Sequence, residues 1–504
     1  MFRPSVCWPR LLLCGALVVL VLVFDGAVSG QVKPSQKPPD KPVPGKTPDK
    51  GQPAKKPEKA APIPVPARPP EKKAAPRPPL GTFTPLKPTK ELTGEIRNRF
   101  KEAIAKSEDP VSPQTAEVLD IAAQNYAYEL TWFDKFNEFG WLNSRVNEVD
   151  LIYHQDFPRA ARNGARNEAV REKFSQCLVE RLREVMQKNP APIIRINAAR
   201  MLVLVAESGY EPVLDALLEI LNEEGQNDAV VYYALQGIKE LFKLQNRPSE
   251  PLVLKDKQRE FAVIQAVMRV LERQGPMSAS REEIEGARIL RREAVRALAQ
   301  TRQPALIDPK DKEKRTVLAR PAVALLRLLA DPQGFTPEPR LDERLEAAVG
   351  LARMQLKGHP DYQPDYAAEH IAHFVIQMAD RNLDKDAKDM EPWKVHAARL
   401  ADALEVMRAE TTKNIKDRDV VKYVTEVVNR IRPILQTMEK GGTPRAGDLS
   451  SWLAANRSKN TMLFKDVPES AIKPTPATEE TPPADKPAEK DKPPDKEQPA
   501  TKDK

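Results

Sequence analysis

The segment Leu290-Arg-Arg-Glu-Ala294-Val-Arg-Ala-Leu298 carries the pattern from which we predict the architecture. It places a small residue, Ala294, four positions before an apolar one, and residues four apart lie on one face of an α-helix. A similar order recurs in four other segments, Ile194–Leu202, Val230–Ile238, Glu343–Leu351 and Trp393–Ala401. Because small residues let a neighbouring helix approach closely, the repetition predicts helices that stack along the chain.

The repeated segments define a predicted structural core. Each has a central alanine, followed four positions later by an apolar residue in four segments and by alanine in the last. The central alanines are 36, 60, 53 and 50 residues apart, so the longer intervals indicate insertions. The second position is basic in four segments, at Arg195, Arg291, Arg344 and Lys394. The predicted core positions are Ala198, Leu202, Ala234, Ile238, Ala294, Leu298, Ala347, Leu351, Ala397 and Ala401.

Apolar partner segments such as Leu217–Leu221 and Leu325–Leu329 lie between the repeated segments. In this alternation the sequence resembles the HEAT-repeat family, including the bacterial type called PBS-lyase HEAT-like repeats, between residues 170 and 410. The resemblance implies a curved α-solenoid whose concave face binds other macromolecules. We therefore expect an all-α fold, with an α-solenoid of HEAT-like helix pairs over residues 93–464.

Residues 1–30 have the layout of a secretory signal peptide. Arg3 and Arg10 precede the uncharged apolar run Leu11–Phe24, and small residues follow at positions 27–30. The run is shorter than the roughly 20 residues of a membrane-spanning helix, although an uncleaved signal anchor is an alternative. The sequence predicts export across the inner membrane, to the periplasm and cell envelope or to the medium.

Two proline-rich tails flank the helical region, residues 31–92 and 465–504. Proline interrupts helices and sheets, and both tails have little apolar surface to bury, so we expect them to be disordered. The first contains 14 Lys and Arg against 5 Asp and Glu. This basic linker offers membrane contact as an alternative to a role as a soluble spacer. Phe83 is the single aromatic residue among its charges, and this scarcity of aromatic residues argues against nucleic-acid binding.

The chemistry-bearing residues favour structural roles over catalytic ones. His370 and His373 share a helix face, but the zincin pattern is absent and no spacing fixes a third metal ligand, so we expect no metal or cofactor. Cys177 lies in an apolar helix pattern and is interpreted as a core residue. The acidic and histidine neighbours considered with the pair are His359, Asp361, Asp365 and Glu369.

An aromatic cluster precedes the first repeated segment. We expect it to cover the end of the repeat core, and partner anchoring is the alternative, because exposed aromatic side chains often anchor binding partners. The helix pattern after residue 417 is expected to cap the other end. The cluster consists of Trp132, Phe133, Phe136, Phe139 and Trp141.

The sequence favours a non-enzymatic scaffold of the cell envelope that binds a protein partner on its helical surface. A membrane-anchored tether, in which the linker matters more than the helices, is an alternative. A HEAT-like enzyme of the lyase type is a further alternative, because a fold does not exclude catalysis.

Overall fold

The computed structural model describes residues 85–465, except residues 107–108, 133–139, 248–253, 276–279, 308, 310–316 and 384–392. The predicted signal peptide and the C-terminal tail after residue 465 lie outside the described residues, as does most of the N-terminal linker. The described residues all belong to the unit Ala75–Lys504.

Helices account for most of the described residues, and the fold is all-α apart from one short ribbon. The helices are α1 Gly94–Ala105, α2 Pro113–Tyr128, α3 Trp141–Leu151, α4 Phe157–Arg162, α5 Glu168–Lys188, α6 Pro192–Glu207, α7 Val213–Asn222, α8 Asp228–Gln245, α9 Lys257–Glu272, α10 Arg281–Thr301, α11 Pro321–Ala330, α12 Leu341–Ala352, α13 Pro364–Leu383, α14 Trp393–Asn414, α15 Arg418–Glu439 and α16 Gly447–Ala455.

The ribbon lies between α10 and α11. Strands β1 (Leu306–Ile307) and β2 (Val317–Ala319) pair antiparallel. The all-α expectation did not include this ribbon, because two or three residues are too few to show the alternation that identifies a strand. The ribbon belongs to one of the insertions that the uneven repeat spacing indicates.

The helices pack in two rows. The even row is formed by consecutive contacts among α6, α8, α10, α12 and α14, and the odd row by those among α7, α9, α11, α13 and α15. All five repeated segments lie in the even row. Nine of the ten predicted core positions are buried, and Ala401 is partly buried against the core. The small and apolar positions thus face neighbouring helices.

Local signals explain where several helices begin. At the start of α10, Ser280 Oγ accepts a hydrogen bond from the Glu283 amide at 3.2 Å, and Glu283 Oε2 accepts one from the Ser280 amide at 2.7 Å. This capping box satisfies two amides that the first helical turn leaves free. Proline occupies the first turn of α2, α6 and α11, where its missing N–H costs no helical bond.

Residues 85–92, which the sequence analysis assigned to the linker, pack against α2. The Leu86 amide donates to Thr131 Oγ1 at 2.9 Å, and the Thr89 amide donates to Gln124 Oε1 at 2.9 Å. The Leu92 amide donates to Asn125 Oδ1 at 3.1 Å. Side chains of α2 and of the turn that follows it therefore satisfy backbone groups of a segment whose composition alone reads as linker.

Helices α10 and α12 approach each other closely at Gly350. A Cβ atom added there would lie 2.9 Å from Ala299 Cβ, 2.9 Å from Leu325 Cδ1 and 3.2 Å from Ala299 Cα. The backbone of α10 cannot move away as a flexible side chain can. Glycine is therefore required at this crossing, three positions after the central Ala347.

Replacing Gly350 with alanine is expected to destabilise the protein by about 1–3 kcal/mol, because overpacking at a rigid contact outweighs the gain in helix propensity. Gly286 in α10 is the matched control, since a Cβ there meets nothing within 4 Å. Gly286→Ala is expected to stabilise by about 0.5–1 kcal/mol. Urea unfolding of both variants measures the two effects. A stabilising Gly350→Ala would contradict the close approach of α10 and α12.

Candidate functional site

A groove lies where α3, α6 and α8 meet, and we call it the α3/α6/α8 groove. Its volume is about 280 Å³. One wall is apolar and includes Ile193, which is 42% exposed. Large apolar side chains are more often buried, so an exposed group of them in a concave surface marks a place for contact with another molecule. The apolar wall consists of Trp141, Leu142, Ile193, Ile196 and Tyr233.

Trp141 is held in place by its neighbours. Gly140 adopts a φ of 81°, in the left-handed region that favours glycine, and α3 begins at the next residue. The Trp141 indole Nε1–H donates to the Glu129 carbonyl at 3.3 Å. The Arg145 guanidinium lies 4.4 Å from the centre of the Trp141 ring and also pairs with the Glu129 carboxylate at 2.9 Å. The ring is therefore a fixed part of the groove wall.

The polar side of the groove is centred on Arg200. Its Nη1 donates to Asn143 Oδ1 at 2.8 Å and to Asn197 Oδ1 at 3.0 Å. Asn197 is 3% exposed, and its own Nδ2 donates to the Ile193 carbonyl at 2.8 Å. Among the described residues, no acceptor takes a hydrogen bond from Nε or Nη2 of Arg200, and no carboxylate pairs with it. Two amides thus orient a cation that has no acidic partner there.

Elsewhere in the even row, basic and acidic side chains form an ion-pair ladder. Arg296 Nε of α10 donates to Glu346 Oε1 of α12 at 2.9 Å. Arg399 of α14 donates to both oxygens of Glu346, at 3.0 Å and 2.6 Å. Lys239 of α8 pairs with Glu293 of α10 at 2.6 Å. The ladder therefore ties each helix from α8 to α14 to the next one in the row.

Glu346 is the centre of the ladder, with a side chain that is 4% exposed. Burial alone raises the pKa of a carboxyl group. The hydrogen bonds from Arg399 and Arg296 outweigh that effect and hold the pKa of Glu346 below its usual value. The carboxylate is therefore charged and fully engaged at neutral pH.

The ladder shows what is different at Arg200. Arg200, Arg296 and Arg399 all lie two positions after a central alanine. Arg296 meets Glu346 on the next helix, one position before the central alanine there. On the helix that follows Arg200, the corresponding position is Tyr233. The α3/α6/α8 groove thus has the ladder's cation without the ladder's carboxylate.

Two of the acidic residues considered for a metal site, Asp365 and Glu369, hold the C-terminal strap, which we define as residues 456–464. Asp365 is fully buried and accepts from Ser458 Oγ at 2.7 Å and from Asn460 Nδ2 at 2.9 Å. Glu369 accepts from the Ser458 amide at 2.7 Å and from Arg457 Nη1 at 2.9 Å. These carboxylates therefore clamp a segment of the chain against α13.

The two histidines beside the clamp have separate environments. His370 is buried, its ring centre is 4.6 Å from that of Tyr366, and burial lowers its pKa to about 4. His373 Nε2 lies 4.0 Å from Glu369, and burial lowers its pKa as well. In the described part of the chain, no three His, Cys, Asp or Glu side chains are placed to hold a metal ion.

Two other residues singled out in the sequence, Cys177 and Trp132, contribute to the packing of the fold. Cys177 is buried, and burial raises the pKa of its thiol to about 11, so the reactive thiolate is disfavoured. Trp132 Nε1 donates to the Leu86 carbonyl at 3.0 Å, while Phe133, Phe136 and Phe139 lie outside the described residues.

The basic second positions of the repeated segments have different partners. Arg195 pairs with Glu223, and Arg291 forms a buried pair with Glu343 at 2.6 Å. Arg344 Nη2 donates to the Leu329 carbonyl at 2.8 Å. The shared charge at this position therefore does not create one shared site.

Sequence reasoning missed Arg200, Asn143, Asn197 and Tyr233. The arginine had a visible signal, because it recurs at the same repeat position in three of the five segments. The groove had none, since Trp141 and Asn143 come from α3, which lies outside the repeated pattern.

No protein-family model matches the sequence, and no curated protein was found to be related to it. Within the part of the chain that the structure describes, no helix combines the length and apolar character needed to cross a membrane.

Proposed function

We propose that this protein is an exported, non-enzymatic scaffold that binds a protein partner in the cell envelope. In this proposal its helices form an α-solenoid of HEAT-like pairs. The two helix rows support that arrangement, because each helix of the even row contacts the next and the repeated segments all lie there. The layout of residues 1–30 supports export.

The α3/α6/α8 groove is the observation that carries the proposed binding function. It joins a fixed aromatic ring, Trp141, and the exposed Ile193 to the oriented cation Arg200. Aromatic and arginine side chains dominate the energetics of protein interfaces, especially where apolar surface surrounds a polar anchor. The groove lies at the first helix of the even row, at α6, so a partner would contact the repeat surface there.

Site-specific photocrosslinking tests this proposal in cells that produce the protein. A photoreactive phenylalanine analogue replaces Ile193 in one variant and Val406 in another. Val406 is a matched control, because it is 39% exposed on α14 and lies outside the groove. We expect one reproducible crosslinked protein from position 193 and none from position 406. The same products from both positions, or none from position 193, would contradict the groove as a partner site.

A further inference from the structure

We propose that the α3/α6/α8 groove recognises a protein segment in which an aspartate or glutamate lies next to an apolar residue, with the carboxylate bound to Arg200. This inference rests on the proposed binding function and names the chemistry of the partner. Its origin is the missing acidic group. Arg296 and Arg399 both bind Glu346, whereas the corresponding position on α8 is Tyr233, which lines the groove together with Arg200.

The free edge of Arg200 has the geometry that a carboxylate needs. Nη1 holds the two asparagine oxygens, which leaves the Nε and Nη2 donors. These two donors lie parallel and match the two oxygens of a carboxylate. The same edge binds carboxylates elsewhere in this protein. Nε and Nη2 of Arg181 bind Asp120 at 3.1 and 2.9 Å, and those of Arg259 bind Asp215 at 2.7 and 3.1 Å.

The asparagines act as positioning residues. Asn197 is almost fully buried and fixed by its hydrogen bond to the Ile193 carbonyl, so its Oδ1 is a fixed acceptor for Arg200. Asn143 holds the same Nη1 from α3. Neutral amides orient the guanidinium without neutralising it. The cation therefore keeps its full attraction for an anion supplied by a partner.

The apolar wall decides what must accompany the carboxylate. A free inorganic anion would satisfy Arg200 and leave Trp141, Ile193 and Ile196 in water. A segment that also buries an apolar side chain removes that surface from water, which favours binding. The groove therefore fits an acidic residue with an apolar neighbour better than an acidic residue alone.

Selection from a random heptapeptide display library tests the inference on the intact protein. We expect the wild type to enrich peptides with Asp or Glu within two positions of an aromatic or aliphatic residue. The enriched peptides should bind Arg200→Met about tenfold or more weakly, the effect of losing a charge-assisted hydrogen bond. Arg183→Met, which removes an exposed arginine of α5 paired with Glu219, should bind them as the wild type does. Enrichment without acidic residues, no enrichment, or equal binding by Arg200→Met would overturn the inference.

A second variant supplies the missing carboxylate within the chain. Tyr233→Glu places an acid where Glu293 and Glu346 lie in the following helices. The new carboxylate should pair with Arg200 and weaken the binding of the acidic peptides about tenfold. Tyr233→Gln removes the same ring without adding charge and should weaken their binding less. Equal weakening by the two variants would overturn the role of Arg200 as the carboxylate site.

The photocrosslinking experiment separates this inference from the proposed function. If position 193 captures the same partner in the wild type and in Arg200→Met, the groove binds a protein but not through a carboxylate. If position 193 captures no partner in the wild type, the proposed function itself is contradicted.

Discussion

Replacing Glu346 with alanine is expected to lower the free energy of unfolding by about 2–3 kcal/mol, because hydrogen bonds to a buried charged group contribute about 1.5–3 kcal/mol. The carboxylate holds Arg296 of α10 and Arg399 of α14 at the same time. Its loss leaves two guanidinium groups without their common partner, but their side chains are 35% and 36% exposed, so water can hydrate them. The cost therefore comes mainly from the hydrogen bonds that the buried carboxylate accepts rather than from the charges left behind.

Glu405 provides the matched control. It also pairs with two arginines, Arg408 and Arg432, whose side chains are 36% and 43% exposed. The difference lies in the carboxylate, because the side chain of Glu405 is 32% exposed and that of Glu346 is 4% exposed. Water and salt screen such pairs, so Glu405→Ala should cost about 1 kcal/mol or less. Urea unfolding at neutral pH measures both variants. Similar losses of unfolding free energy for the two variants would show that burial of Glu346 does not increase its contribution to stability.

Replacing His370 with phenylalanine is expected to remove about 3 kcal/mol of acid destabilisation between pH 7 and pH 4. In the folded protein the pKa of His370 is about 4, against an ordinary value of 6.5. Below pH 6.5 the unfolded chain therefore binds a proton that the folded protein does not, and stability falls until the pH reaches the folded pKa. Phenylalanine cannot titrate, and its ring can pack against Tyr366 as the imidazole does.

The measurement is the difference in unfolding free energy between pH 7 and pH 4, compared for wild type and variant. His154→Gln is the control. The pKa of His154 is raised to about 9 by hydrogen bonds to Glu207 and Asp150, so its contribution is present below pH 6.5 and disappears as the pH rises through 9. This control should not relieve the acid loss. An unchanged pH 7 to pH 4 difference in His370→Phe would rule out His370 as its source.

The features that depend on local sequence pattern could be predicted, and those that depend on contacts between distant parts of the chain could not. The all-α class is confirmed, and positions such as Ala294 and Leu298 lie in the core because helical spacing alone places them on one face. The roles of Asp365 and Glu369 could not be predicted in the same way. Spacing showed acidic and histidine side chains close together, but the groups that bind the two carboxylates lie about 90 residues further along the chain.

The α3/α6/α8 groove was unpredictable for a related reason. Its distinctive property is that Arg200 lacks a carboxylate, and this depends on which side chain of α8 faces it. Aligning the repeated segments would have shown that Tyr233 stands where Glu293 and Glu346 stand in later segments. It could not have shown that Trp141 and Asn143 of α3 complete the surface.

The strap also determines how mechanical force enters the protein. Any pull on the chain after residue 465 is transmitted first to residues 456–464. There Ser458 donates hydrogen bonds to Asp365 and Glu369, and Asn460 donates one to Asp365. These carboxylates lie in the first two turns of α13, the fourth of the five helices of the odd row, rather than on the last helix, α16. A load on the C-terminal tail would therefore be borne by α13 before it reaches α16. We therefore expect that α16 is not the first helix to detach from the fold.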